Sequence, residues 1–96
     1  VDIFFVVSYS GSTIGLSRVD GPCDMDAKGL DGSVVAIEGY VNSTGLVLAH
    51  EAGHYLGLGH SSSSGNLLFG TVPNGGGLTS GQGSNMRDHC FVKSGC

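Results

Sequence analysis

Residues 50–60 contain three histidines and one glutamate in the pattern H-E-x-x-H-x-x-G-x-x-H, and this spacing constrains the local backbone. In a helix, His50 and His54 lie one turn apart on the same face, so both imidazoles can reach a single metal ion. Gly57 can adopt a left-handed conformation, which ends the helix and turns the chain so that His60 becomes a third ligand. The motif therefore predicts a helix that stops at a tight turn beside a three-histidine metal site.

The donor set indicates which metal binds there and what it does. Three neutral nitrogen ligands leave the fourth position of a tetrahedral zinc ion open for water, which distinguishes a catalytic site from a structural one. Glu51 follows the first histidine, where its carboxylate can take a proton from that water. We therefore expect one catalytic Zn²⁺ with Glu51 as general base. A chance run of histidines on a helix is the alternative, and five fixed residues in register weigh against it.

The motif is the zinc-binding signature of the metzincins, and the chain resembles that clan of zinc endopeptidases. The resemblance implies that the three histidines bind zinc, that Glu51 is the general base, and that peptides or proteins are the substrates. Metzincins carry a methionine in a tight turn beneath the metal. Ungapped alignment with the matrixin-like branch places Ser61 at the serine that follows the third histidine and Leu68 at that methionine. Leu and Met have similar volumes, so the exchange should usually cost under ~1.5 kcal/mol.

Composition excludes several other classes of protein. The chain has 96 residues, which is enough for one small domain that needs reinforcement. Its net charge is −4 and its four Lys and Arg residues are scattered, so nucleic acid and anionic membranes are not expected as partners. The longest apolar stretch, residues 3–7, is too short to span a bilayer. No signal peptide is visible, and the chain starts at Val1 rather than Met, so we expect a mature, processed or truncated product.

The three cysteines are Cys23, Cys90 and Cys96. In a small chain without C-x-x-C and with a histidine-only metal site, they are better interpreted as disulfide partners in a secreted protein. Three buried free thiols in a cytosolic protein are the alternative. Residues 13–16 and 21–23 are similar to the reprolysin branch of metzincins, in which a cysteine at this point bridges to the C-terminal helix. That resemblance implies Cys23–Cys90 as first choice and Cys23–Cys96 as second.

Local patterns predict two strands separated by irregular segments. Asp2–Ser8 is rich in Ile, Phe and Val and predicts a buried strand. Tyr9–Leu30 contains four glycines and a Gly-Pro pair, which predict a long loop. Ser33–Val41 alternates imperfectly and predicts a second strand, whereas Ser61–Gly77 has no periodicity and predicts a loop.

Two helices complete the expected secondary structure. The active-site helix should cover Thr44–Leu56, with Asn42 or Ser43 as its N-cap. Residues 79–82 read Thr-Ser-Gly-Gln, a capping box that should open a C-terminal helix running to about Phe91.

These elements predict an α+β fold, with a small twisted sheet packed on the active-site helix, an irregular Gly-rich lower part and a C-terminal helix. The resemblance identifies residues 1–96 as a single catalytic domain, equivalent to the later part of a metzincin domain. Upstream strands and a backing helix of that family are not found here. We therefore expect a truncated or minimal form, completed by an upstream segment or a separate chain, because an isolated two-stranded sheet is marginally stable.

The substrate is expected to lie extended along the second strand, with Val35, Ala36 and Ile37 as substrate-binding residues that pair with it edge to edge. In family terms, residues of about 71–78 would wall the pocket for the side chain after the cleaved bond. His89 and Tyr55 are expected to be structural residues.

Calcium has less support than zinc. Asp24, Asp26 and Gly29 are similar to the start of an EF-hand loop, but Lys28 stands at a ligand position and Val35 replaces the closing glutamate. A solvated acidic loop is the better interpretation. Metzincins often carry calcium, but no pattern in this sequence supports a site.

Two rival functions are left open by the sequence. A non-catalytic zinc-binding pseudoprotease or protein-binding module would fit the short chain and Leu68, although a pseudoenzyme would be free to lose Glu51. A structural zinc domain conflicts with the open coordination position.

Overall fold

The computed structural model describes residues 2–7, 11–24, 26, 32–37, 41–71 and 75–93. Over this part of the chain the elements are β1 (Asp2–Val6), β2 (Gly15–Ser17), β3 (Gly32–Ala36), α1 (Val41–Tyr55), α2 (Ser80–Asp88) and α3 (Cys90–Lys93). The strands form one mixed sheet in the order β1-β3-β2, in which β1 is parallel and β2 antiparallel to β3. The expected α+β class is confirmed. No helix in the described segments is long and apolar enough to span a bilayer.

The central position of β3 corrects the expected substrate site. The Ala36 N–H donates to Ile14 O at 2.9 Å on one side, and the Ile37 N–H donates to Val6 O at 2.8 Å on the other. Both edges of β3 are thus used by the sheet, so a substrate strand finds no free edge at Val35, Ala36 and Ile37. The strand is also shorter than the predicted Ser33–Val41: residues 38–40 lie outside the described chain, and Val41 already belongs to α1.

The segment Tyr9–Leu30, predicted as a loop, contains the short strand β2. Leu16 pairs with Val34, and the hydroxyls of Ser17 and Ser33 share a hydrogen bond of 2.8 Å. A strand of three residues is too short to show an alternating pattern in the sequence. β2 forms because it pairs with β3. The loop prediction is therefore wrong at these residues.

β1 forms as predicted up to Val6 but is not a buried strand. Ile3, Phe4 and Phe5 are 40%, 56% and 53% exposed, because β1 is an outer strand of the described sheet. Parallel strands with continuous apolar sequences are usually covered on both faces, so β1 presents apolar surface that this part of the chain leaves open.

α1 starts three residues before the predicted Thr44 and ends one residue before the predicted Leu56. Asn42 and Ser43 therefore lie inside its first turn, and their assignment as N-caps is wrong. The predicted stop is confirmed: Gly57 has a φ of 97°, and its N–H donates to His54 O at 2.9 Å.

The core lies beneath α1, where it joins the helix to the downstream turn. Leu58, Leu67 and Leu68 are buried together, and Leu46, Ala49 and Met86 pack against them. Gly53 allows this close approach, since a Cβ there would lie 3.0 Å from Leu68 Cδ2. The residue at the methionine position is thus a fully buried core residue.

The C-terminal helix divides at His89. The predicted capping box of Thr79 and Gln82 is present and opens α2. His89 is extended (φ −61°, ψ 141°), its Nε2–H donates to Gly21 O at 2.9 Å, and its Nδ1 accepts the Phe91 N–H at 3.2 Å. Because this buried ring caps the start of α3, one continuous helix to Phe91 does not form. His89 is structural, as expected.

Cys23 and Cys90 form a disulfide, so the first of the two expected pairings is confirmed. Cys96 lies outside the described residues. The same region is reinforced by Tyr55, which is 1% exposed and whose hydroxyl donates to Pro22 O at 2.6 Å. The loop after β2 is therefore tied both to the end of α1 and to α3.

Removal of this disulfide should lower the free energy of unfolding by about 2–4 kcal/mol, because a cross-link across a long loop constrains the unfolded chain. The bridged residues are 67 positions apart. Guanidinium unfolding of the wild type, with and without a reductant, measures the difference. The Cys23→Ser/Cys90→Ser variant is the control and should not respond to the reductant. Equal midpoints for the oxidised and reduced wild type would contradict the prediction.

Candidate metal centre

The three histidines of the motif meet at one point. His50 and His54 lie one turn apart on α1, are 2% and 7% exposed, and have ring centroids 4.6 Å apart. His60 follows the turn at Gly57, and its ring centroid lies 5.4 Å from that of His50 and 4.7 Å from that of His54. One ligand atom from each of the three lies within 4.8 Å of the others. The group can therefore hold a metal ion.

Two main-chain carbonyls orient the histidines of α1. His50 Nδ1 lies 2.7 Å from Leu67 O, and His54 Nδ1 lies 2.7 Å from Leu58 O. A carbonyl oxygen only accepts, so each Nδ1 carries the hydrogen and each Nε2 keeps a free lone pair. This is the tautomer that a metal requires, with the second nitrogen fixed by a backbone acceptor.

Burial favours the neutral form of these two rings. It lowers the pKa of His50 and of His54, and the charge that His60 would carry acts in the same direction, whereas the carbonyl hydrogen bonds oppose the shift. Neutral imidazoles are the form that coordinates, and three of them with an open fourth position suit Zn²⁺. The donor set therefore fits the expected ion.

Glu51 is buried beside the histidines, and one of its carboxyl oxygens has no hydrogen-bond partner among the described residues. Glu51 is 4% exposed, and the oxygen without a partner is Oε2. Burial raises the pKa of this carboxyl to about 7. A carboxyl oxygen without a hydrogen-bond partner is available to exchange a proton with a reacting molecule.

The site opens into a cleft of about 640 Å³ that the edge strand β2 borders. Residues 12–17 and Val19 line this cleft together with Gly70 and Thr71, and Gly70 lies beside His60. The sequence did not identify residues 12–17 as part of the site, because only the pairing of β2 with β3 brings them there. Of the wall expected at about 71–78, Thr71 lines the cleft, and residues 72–74 lie outside the described chain.

A polar pair joins the turn beneath the metal centre to α2. The Asn66 amide donates to Gln82 Oε1 at 2.8 Å, and the Gln82 amide donates back to Asn66 Oδ1 at 3.1 Å. The same Oδ1 accepts the Leu68 N–H at 2.9 Å. The turn that supplies the Leu67 carbonyl to His50 is thereby fixed by the first turn of the C-terminal helix.

Other candidate ligands do not form a comparable site. Asp24 and Asp26 are exposed, and the Asp26 N–H donates to Asp24 Oδ1 at 2.9 Å, as in a solvated turn. Of the other positions of that EF-hand comparison, Lys28 and Gly29 lie outside the described residues, and Val35 lies in β3. Cys23, His89 and Cys90 also bring three ligand atoms together, but both sulfurs are in the disulfide.

Comparison with known families gives one match. The family model for matrixin matches residues 20–79, which is more than half of the chain. The matched segment includes β3, α1, the metal centre and the turn through Leu68, whereas β1 and β2 precede it. A search of curated proteins found no significant match.

Truncation of Leu68 should test the turn beneath the metal. Leu68 is fully buried, so Leu68→Ala should lower the free energy of unfolding by about 2–5 kcal/mol, whereas Leu68→Met should cost less than ~1.5 kcal/mol. Chemical denaturation measures both values. Leu78→Ala is the control, since Leu78 is 42% exposed and its truncation should have a small effect. A loss for Leu68→Met as large as that for Leu68→Ala would contradict this interpretation.

Loss of the Asn66 amide should weaken metal binding although Asn66 does not touch the metal. In Asn66→Ala the turn that orients His50 loses its support, so the zinc dissociation constant should rise by roughly 10–100-fold. Competition with a chromophoric chelator measures this constant. Ser84→Ala, an exposed substitution on α2, is the control and should leave it unchanged. Zinc affinity within twofold of the wild type in Asn66→Ala would contradict the prediction.

Proposed function

The chain belongs to the matrixin family and is a zinc metallopeptidase-like domain, and from this premise we propose that it is an endopeptidase that hydrolyses peptide bonds. The observation that carries the proposal is the buried Glu51 carboxylate beside three histidines that converge on one point. Its Oε2 has no hydrogen-bond partner among the described residues. A structural zinc site would need neither a carboxylate of this kind nor an open cleft.

His50, His54 and His60 are the proposed ligands of the zinc ion. Their support is the convergence of one ligand atom from each ring, together with the carbonyl hydrogen bonds that fix the tautomer of the first two. When bound, zinc supplies a Lewis acid that polarises a carbonyl oxygen and lowers the pKa of water.

Glu51 is the proposed general base. It accepts the proton of the attacking water and transfers it to the amine that leaves when the peptide bond breaks. The rigid helix α1 carries Glu51 next to His50, so the base and the ligands are held in one frame. The burial of its carboxylate strengthens its interactions with the reacting groups, because little water competes.

The proposed place of the substrate is the open edge of β2 rather than β3. β2 is an outer strand of the described sheet, and it borders the cleft that contains the histidines. An extended peptide can add to such an edge through main-chain hydrogen bonds, which bind it regardless of sequence. Leu16, 52% exposed on β2, offers apolar contact to a substrate side chain.

Two further expectations belong to this proposal. Secretion is supported by the disulfide, because such bonds persist in oxidising compartments. An upstream segment or a separate chain that covers β1 is supported by the exposed side chains of Phe4 and Phe5. Zinc is the proposed cofactor, and no described group of residues supports a calcium site.

Glu51→Ala should retain zinc and lose peptidase activity. The ligands are untouched, whereas removal of a general base lowers kcat by roughly 10²–10⁴-fold. Metal analysis gives the zinc content, and cleavage of casein or a quenched fluorescent peptide gives the activity, which a chelator should abolish in the wild type. Asp88→Asn, an exposed change on α2, is the control and should behave as the wild type.

Retained cleavage in Glu51→Ala would refute the assigned base. Zinc binding by the wild type without cleavage of any peptide would instead support a non-catalytic zinc-binding module.

A further inference from the structure

We propose that Gly15 is a positioning residue for Glu51: the absence of a side chain at this point of β2 provides the space that the Glu51 carboxylate occupies beside the histidines. The inference rests on the proposed role of Glu51 as general base. Its physical content is a steric contact between an edge strand and a helix, and this contact is measurable without any peptidase activity.

Gly15 faces Glu51 directly. A Cβ built on Gly15 would overlap Oε1 of Glu51 and would lie 2.8 Å from both its Cδ and its Cγ. Carbon atoms that are not bonded to each other optimally lie about 3.5–4.0 Å apart, so these positions are mutually exclusive. The Glu51 side chain therefore fills the volume that any other residue at position 15 would need.

The backbone of β2 gives no other reason for a glycine here. The described glycines with positive φ are Gly11, Gly57 and Gly65, and Gly15 is not among them. Every L-residue can adopt an extended strand conformation, and most have a higher preference for it than glycine has. The requirement at position 15 is therefore one of space rather than of backbone conformation.

An added side chain would displace Glu51 rather than the strand. Gly15 pairs with Val35, which is fully buried, and Ile14 O accepts the Ala36 N–H at 2.9 Å. The Glu51 carboxylate is less restrained, since its Oε2 has no hydrogen-bond partner in the part of the chain that the structure describes. The carboxylate moves because it is the less constrained partner.

The kinetic consequence is a loss in kcat. In Gly15→Ala the base leaves its place while the histidines remain fixed by the carbonyls of Leu58 and Leu67. A displacement of about 1 Å at a reacting group can cost roughly 100-fold in rate. We expect kcat to fall by at least ~10-fold, with KM and the zinc dissociation constant within about twofold of the wild type.

Gly45→Ala is the matched control. Gly45 lies on α1, and a Cβ there would meet nothing within 4 Å, so the same substitution should leave kcat unchanged. A kcat for Gly15→Ala within twofold of that of Gly45→Ala would overturn the proposal. An equal loss of kcat and zinc affinity in Gly15→Ala would also overturn it, because the metal centre as a whole would then depend on Gly15.

A double-mutant cycle in thermal stability tests the contact independently of catalysis. Glu51→Ala removes the atoms that the methyl group added by Gly15→Ala would overlap. Gly15→Ala should therefore lower Tm in the wild-type background and leave it unchanged or higher in the Glu51→Ala background. Equal losses of Tm in both backgrounds would overturn the proposal. If Gly15→Ala alone fails to fold, recovery of a folded protein in the double variant gives the same positive result.

The two experiments separate failure of this inference from failure of the proposed function. A wild type that binds zinc but cleaves no peptide would refute the endopeptidase, while the Tm cycle would still report whether Gly15 and Glu51 compete for one space. An active wild type whose Tm cycle is additive would leave the endopeptidase intact and refute the positioning role.

Discussion

Two buried carbonyl groups, Leu67 O and Leu58 O, determine whether the histidines of α1 can act as ligands. Helical spacing brings the two rings to one face, but it does not choose a tautomer or a ring direction. Each carbonyl does both, because it holds the hydrogen on Nδ1 and leaves the lone pair of Nε2 free. Both carbonyls come from turns that follow α1. The orientation of the two histidines therefore depends on the packing of those turns. Leu68 and the hydrogen-bonded pair of Asn66 and Gln82 maintain this packing.

The segment that follows β2 is also fixed to α1. The last carbonyls of a helix need partners, and here the Asp20 N–H donates to His54 O and the Gly21 N–H donates to Tyr55 O. These bonds fasten the segment after β2 to the end of α1, and the disulfide fastens it to α3. The edge strand β2 and the three histidines are thus positioned by the same helix, α1.

Spacing could predict part of this arrangement. The meeting of the three histidines and the stop at Gly57 follow from a motif whose residues all lie on one helix and its turn, and the capping box of α2 is equally local. The family resemblance supplied the Cys23–Cys90 pairing. β2, the central position of β3 and the break at His89 were missed because each depends on a distant partner: a neighbouring strand in the first two cases and the Gly21 carbonyl in the third. Such partners leave no periodic signal along the chain.

The site also depends on empty space, which a motif cannot display. The three histidines and Glu51 are recognisable because they are reactive side chains at fixed intervals, whereas Gly15 contributes by having no side chain. It lies far from the motif in sequence, in a strand too short to predict, and a glycine in a Gly-rich segment gives no signal of its own. Its missing Cβ matters only because β2 approaches α1 at this point. A buried carboxylate whose Oε2 has no hydrogen-bond partner among the described residues is oriented by the atoms packed around it. Because Glu51 Oε2 has no hydrogen-bond partner among the described residues, the position of this carboxyl group depends on its packing against β2.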